Sequence, residues 1–198
     1  MIKGKEILIG RSLALLGGAM NILSGKAFET LPRALGGLLS IIGNISGVIA
    51  EKLFIEIAPS AAVIKESKIE KIKTWAAGHQ LVINNVPKIT GAALLVVSGL
   101  TTGNTAETAA GSLYVIANSL ELKGEQGRKI WLTSTALSSL GGGAMIFAGI
   151  SHRDPAQTLA GASYFTAAIL LALANPQKYK SFRERIEAER KNVKEIEI

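Results

Sequence analysis

The chain has 198 residues, of which 48% are hydrophobic and 19% are charged, so its composition fits one ordinary domain and excludes general disorder. It contains no cysteine, which excludes disulfides and thiolate metal sites. The net charge of +7 does not indicate a nucleic-acid partner, because the basic residues flank apolar stretches instead of forming one patch among aromatic side chains.

Six apolar segments predict an all-α protein with six transmembrane helices. They occupy residues 7–24, 31–49, 80–98, 105–121, 130–148 and 155–174. Each has 17–20 residues, enough to cross a hydrocarbon core of about 30 Å. The fourth is weakly apolar, and we expect the other helices to shield it from lipid. The first resembles a signal peptide, but Arg11 interrupts it and no Ala-x-Ala-like site ends it, so we interpret it as a membrane helix.

The six segments form three copies of one helical hairpin. Stretches of 28 residues that begin at Gly17, Gly91 and Gly141 align without a gap. A second glycine recurs in register in each copy, and we call this set the repeat glycines: Gly25, Gly99 and Gly149. A residue type that favours helix starts also recurs: Thr30, Asn104 and Asp154. The fixed register predicts repetition of one hairpin along the chain.

Each hairpin is expected to turn just after its repeat glycine, where we predict a left-handed backbone that ends the first helix. Asn104 with Glu107, and Asp154 with Gln157, form capping boxes that begin the second helix. Thr30 is a weaker cap at the same position. The repeat glycines and the caps therefore define the predicted tips of the hairpins.

These patterns divide the chain into five segments. They are hairpin 1 at 1–50, a cytoplasmic amphipathic linker helix at 51–79, hairpin 2 at 80–122, hairpin 3 at 123–175 and a charged C-terminal helix at 176–198. We interpret the two charged helices as amphipathic, lying on the membrane or on the protein itself. The alternative is a contact with a protein partner through residues 60–75 and 178–198, where the second stretch has a short heptad pattern.

Lysine and arginine are distributed unevenly along the chain. Eighteen of the 22 lie at the N-terminal end, in the two junctions between hairpins or in the C-terminal segment. The loops inside the hairpins hold only Lys26, Arg33 and Arg153. Because positive loops stay on the cytoplasmic side, we predict cytoplasmic termini and external hairpin tips in a cell (inner) membrane.

Polar residues inside apolar helices are the candidate functional residues, because they are unfavourable in lipid and often functional. This candidate polar interior consists of Arg11, Asn44, Asn85, Lys88 and Asn118. No cluster of acid, base and nucleophile lies in the membrane segments, so we expect neither an enzyme nor a cofactor. His79 and His152 are predicted on opposite sides of the membrane and cannot share a metal ion.

Two classes of function fit this sequence. The first is a small channel or transporter for an anionic or polar solute, because repeats in membrane proteins often place a polar path between them. The second is a non-catalytic structural or accessory subunit of a membrane assembly, in which asparagines only join helices. Membrane lipids are expected partners in both, and the oligomeric state stays open.

The two alternatives give Lys88 different roles. An unpaired lysine near the middle of a membrane costs about 2.5–3.5 kcal/mol on insertion scales. We therefore predict that Lys88 faces the interior. It either helps Asn85 and Asn118 to bind an anionic solute or lipid headgroup, or it forms a bridge to Glu121 that fixes the second hairpin.

Overall fold

The computed structural model describes residues 3–57, 72, 75–76, 79–122 and 128–174. The main elements of this part of the chain are six helices: α1 (Lys3–Ala27), α2 (Leu31–Ile57), α3 (Gln80–Thr102), α4 (Thr105–Leu122), α5 (Arg128–Ser151) and α6 (Pro155–Ala174). The helix predicted for residues 176–198 lies outside the described residues, as does most of the linker predicted for residues 51–79, although α2 continues to Ile57.

The left-handed backbone predicted at the repeat glycines is wrong. Gly25, Gly99 and Gly149 lie inside α1, α3 and α5. The left-handed residue comes four positions later in each hairpin. These residues are Glu29 (φ 52°), Gly103 (φ 68°) and Arg153 (φ 54°). Each repeat glycine thus lies two or three residues before the end of its helix, and its carbonyl accepts the N–H of the cap residue at 2.7–2.8 Å, as in the Schellman motif.

The repeat glycines allow two helices to pack closely. They are not required for a left-handed backbone conformation. A Cβ atom on Gly25 would clash with the backbone nitrogen of Ala34. The same clash would occur between Gly99 and Thr108, and between Gly149 and Thr158. In each hairpin the first turn of the second helix therefore lies directly against the last turns of the first helix.

The six helices form a closed ring. Each packs mainly against its neighbours in the chain, and α6 packs against α1 to complete the circle. Successive helices joined by short turns run antiparallel. The turns between α1 and α2, α3 and α4, and α5 and α6 therefore share one end of the ring, which we call the tip end.

The apolar residues are arranged inside out relative to a water-soluble protein. Large side chains such as Leu100, Phe147 and Leu173 face outward and are 67%, 65% and 70% exposed. The fully buried apolar side chains are mostly alanines, including Ala110, Ala148 and Ala160. Small residues inside and large apolar residues outside are the arrangement expected of helices that pack in lipid.

Five of the helices contain spans long and apolar enough to cross a membrane. These are Leu8–Ala27, Leu31–Ile49, Leu81–Thr102, Ile130–Ser151 and Pro155–Leu173. By length and composition the chain is thus a helical integral membrane protein, and the predicted all-α membrane class is confirmed at that level. The remaining helix, α4, has 18 residues and is not one of these five candidate spans. It lies between α3 and α5 in the ring.

Candidate functional site

The ring encloses a cavity of about 160 Å³ to which all six helices contribute residues. Its lining begins at Asn21, six residues before the end of α1, and at Gly36, five residues after the start of α2. It extends away from the tip end to Glu121, Trp131 and Ala172, close to the opposite ends of α4, α5 and α6. The cavity therefore begins about one and a half helical turns from the tip end and extends to the opposite end of the ring.

A missing aromatic ring explains why the cavity is there. Ser40, Tyr114 and Tyr164 occupy one position of the hairpin register. The Tyr114 ring packs on Gly141 and the Tyr164 ring packs on Gly17, each in the next hairpin around the ring of helices. The two tyrosines meet edge to face, with centroids 5.6 Å apart. Ser40 supplies no ring, so the corresponding space stays open, and the Tyr164 hydroxyl donates to Ser40 Oγ at 3.0 Å.

Three residues of the candidate polar interior line this cavity: Asn44, Lys88 and Asn118. The two asparagine amide nitrogens donate to backbone carbonyls four residues earlier, Asn44 to Ser40 O at 2.9 Å and Asn118 to Tyr114 O at 2.7 Å. These bonds fix both side chains on their own helices. The structure thus brings together one cation and two amides from three different helices.

The other two candidates are not part of the lining. Asn85 is fully buried, and its side-chain oxygen accepts a hydrogen bond from Asn84 at 3.1 Å. Arg11 is half-buried and lies close enough to Lys88 for the two charges to interact. Arg11 also has contacts of its own. The predicted set is therefore divided between the cavity wall and the contacts behind it.

Glu121 adds a negative charge to the cavity. It lines the wall with Lys88, and its Oε1 accepts a hydrogen bond from Ser134 Oγ at 2.8 Å. Glu121 is near enough to Lys88 for an attractive interaction. Among the described residues, however, the two do not form a direct ion pair. The bridge predicted as the structural alternative is thus not closed in this structure.

Two polar groups in the cavity wall lack hydrogen-bond partners. Within the described part of the chain, neither the Tyr114 hydroxyl nor the Asn21 side-chain amide forms a hydrogen bond. Asn21 lies beside the Tyr164 hydroxyl, but without the geometry of an ordinary hydrogen bond. Buried polar groups are nearly always paired, so these two are exceptions in the packing around the cavity.

A second polar cluster, the tip network, joins the three hairpins at the tip end. Arg33 donates through Nε to Glu107 Oε1 at 2.7 Å and through Nη2 to Glu107 Oε2 at 2.5 Å. Its Nη1 reaches Ser24 Oγ at 2.8 Å and Asp154 Oδ2 at 3.2 Å. Ser24 also donates to Asp154. All four residues are buried, so the tip half of the ring is closed by charge-assisted hydrogen bonds.

The tip network is not predictable from the sequence because each member has a simpler explanation. Arg33 is a loop charge in the sequence pattern, and Glu107 and Asp154 belong to helix caps. Two of the three predicted caps are present as well: Asn104 Oδ1 accepts the Glu107 N–H at 3.0 Å, and Asp154 Oδ1 accepts the Gln157 N–H at 2.9 Å. The predicted Thr30 cap is wrong, because Thr30 Oγ1 has no hydrogen-bond partner among the described residues. The available signal was that Arg33 and Glu107 share one register position with opposite charges.

Comparison with protein-family models, with curated proteins and with solved structures gives no match. In the described residues, no group of three or more His, Cys, Asp or Glu side chains is placed to hold a metal ion. The functional assignment therefore depends on two features, the polar cavity and the tip network that closes the ring beside it.

Proposed function

We propose that this chain is a small membrane transporter that binds a polar solute in the central cavity. The observation that carries the proposal is the polar cavity wall, to which Asn44, Lys88, Asn118 and Glu121 contribute their side chains. A solute with donor and acceptor groups can form hydrogen bonds to such side chains. Lys88 and Glu121 support the same function, because charged groups inside a membrane protein commonly mark a substrate path.

The proposed architecture is three repeated hairpins with six spans. It is supported by the left-handed residue at equivalent positions in the three turns and by the equivalent contacts of the repeat glycines. In this arrangement α4 crosses the membrane with the others, shielded on two sides by α3 and α5. The distribution of Lys and Arg supports cytoplasmic termini in the cell (inner) membrane.

With that orientation, the cavity is reached from the cytoplasm and the tip network is the external gate. Arg33, Glu107 and Asp154 belong to three different hairpins, so separating the hairpins at the tip end breaks the network. Buried ions are strongly destabilising when unpaired, but water that enters an opening gate hydrates them again. Transport then requires the gate to open while the cytoplasmic mouth closes, as in other membrane proteins with repeated units.

An accessory subunit of a membrane assembly is the second candidate. Tight packing close to the tip end favours this role. Four apolar side chains near the tip ends of their helices are fully buried, namely Ala110, Met145, Ala148 and Ala160. A protein partner would then contact residues 60–75 and 178–198, most of which lie outside the described residues.

Uptake by proteoliposomes separates the two candidates. We expect purified protein to carry at least one of four labelled solutes, namely glycine, acetate, choline and urea, faster than protein-free vesicles. Ser40→Tyr places the missing ring in the cavity and should abolish the uptake, whereas Ser40→Ala should preserve it. Ala168→Phe is a second blocking variant, since Ala168 also lines the cavity. If none of the four solutes enters above background, the transport proposal is wrong and the accessory role is preferred.

A further inference from the structure

The cavity wall carries one cation and one anion on adjacent helices. Lys88 comes from α3 and Glu121 from α4. In the described structure they do not pair directly with each other. Charges removed from water need partners of opposite sign. Each of these two groups is therefore placed to receive a ligand group of the opposite charge.

This pair of charges changes the expected solute. The candidate polar interior predicted from the sequence favours an anion, because it contains the cations Lys88 and Arg11 and three asparagines. The structure leaves Arg11 out of the lining and adds Glu121 to it. A simple anion is attracted by Lys88 but repelled by Glu121, and a simple cation meets the reverse combination.

The dimensions and the neutral groups of the cavity limit the ligand further. A volume of about 160 Å³ is small beside the roughly 300–1,000 Å³ of sites for drug-sized molecules. Besides the charges, the wall offers the Asn44 and Asn118 side chains. These groups can hydrogen-bond a carboxylate or an ammonium group, and the nearby alanines leave room for only a few carbon atoms.

We infer that the cavity binds a small zwitterion, with its carboxylate at Lys88 and its ammonium group at Glu121. This inference rests on the proposed binding of a solute in the cavity and specifies its chemical class. Glycine is the simplest such molecule. Acetate and methylammonium each carry one of its two charges on a similar skeleton, so they are matched probes for the two halves of the site.

Tryptophan fluorescence of the full chain in detergent provides the binding measurement. The chain has two tryptophans, of which Trp131 lines the cavity and Trp75 is exposed and stacked on His79. Trp75→Phe therefore leaves Trp131 as the single reporter. We expect glycine to bind saturably and at least about tenfold more tightly than acetate or methylammonium. Isothermal titration calorimetry on the unaltered chain measures the same affinities without relying on Trp131.

Substitutions at the two charges test the orientation of the ligand. Glu121→Gln should weaken glycine binding about tenfold or more and improve acetate binding, whereas Lys88→Met should weaken glycine binding and improve methylammonium binding. Lys88→Arg and Glu121→Asp keep the charges and serve as matched variants that should retain the preference for glycine. A preserved melting temperature shows that a variant is folded.

The outcomes distinguish this inference from the proposed function. Acetate or methylammonium binding as tight as glycine binding overturns the zwitterion assignment, even if uptake of acetate establishes transport. Absence of saturable glycine binding by both methods overturns it as well and leaves Lys88 and Glu121 as structural groups. Tight glycine binding without any uptake supports the zwitterion site and contradicts the transporter.

Discussion

One guanidinium, that of Arg33, contacts carboxylates from both of the other hairpins. Arg33, Glu107 and Gln157 share a register position but have different hydrogen bonding. The arginine forms two bonds to Glu107, whereas neither side-chain polar atom of Gln157 has a partner among the described residues. At the scale of single residues, equivalent positions of the three hairpins therefore carry different charges at the point where the hairpins meet.

Arg33→Met should strongly destabilise the protein. The substitution leaves Glu107 and Asp154 buried without their cation, and breaking a buried ion pair typically costs about 3–5 kcal/mol. The melting temperature in detergent, followed by tryptophan fluorescence, measures the loss. Lys26→Met is the matched control, because Lys26 is exposed near the same tip and surface substitutions usually change stability by less than about 0.5 kcal/mol. Equal melting temperatures for the two variants would contradict a stabilising role for the tip network.

The sequence identified part of the cavity and could not identify the rest. Lys88, Asn44 and Asn118 are unfavourable in lipid whatever surrounds them, so their type alone predicted an inward position. Ser40 and Tyr164 are tolerated in lipid and in packed interiors alike, and their importance appears only when the space left by Ser40 is seen. Arg11, Asn85 and Thr135 share a register position. Only Thr135 lines the cavity, because equal positions do not have equal neighbours in the three hairpins.

At the scale of the helices, glycines determine how closely neighbours approach. Gly36 of α2 and Gly91 of α3 meet backbone to backbone, and a Cβ atom on either would lie 2.7 Å from the carbonyl oxygen of the other. Gly43 and Gly47 continue the same interface, where their added Cβ atoms would crowd Asn84. The spacing of Gly43 and Gly47 is typical of helix contacts in membranes, but the sequence alone does not tell which helix they contact.

Gly36→Ala should therefore push α2 and α3 apart. Overpacking of this kind usually costs about 1–3 kcal/mol, and thermal unfolding in detergent should show a lower melting temperature. Gly143→Ala is the control in another helix, because a Cβ atom there meets nothing within 4 Å. Alanine has a higher helix propensity than glycine by about 1 kcal/mol, so Gly143→Ala should be neutral or stabilising. If Gly36→Ala is also neutral, the α2–α3 contact is looser than described.

At the scale of the whole molecule, closure of the ring is the feature that the sequence did not predict. Six apolar segments and a hairpin repeat are local patterns, and they agree with several arrangements of three hairpins. Closure depends on contacts between the first and last helices, where Gly10 lies against Leu171 and Gly17 lies against Tyr164. These partners are more than 140 residues apart in the sequence, and nothing in their types indicates which helix each glycine meets.

Orientation in the membrane is the last property that a direct experiment can test. Because Lys and Arg concentrate outside the hairpin loops, Thr102 at a tip should face the exterior, and Lys191, which lies outside the described residues, should face the cytoplasm. The chain has no cysteine, so single cysteines introduced at these positions are unique targets for a membrane-impermeant maleimide. In intact cells Thr102→Cys should react and Lys191→Cys should react only after permeabilisation.

Ala168→Cys, in the cavity wall, should react from the cytoplasmic side if the tip network closes the opposite end. External labelling of Lys191→Cys would contradict the orientation, and external labelling of Ala168→Cys would contradict closure at the tips.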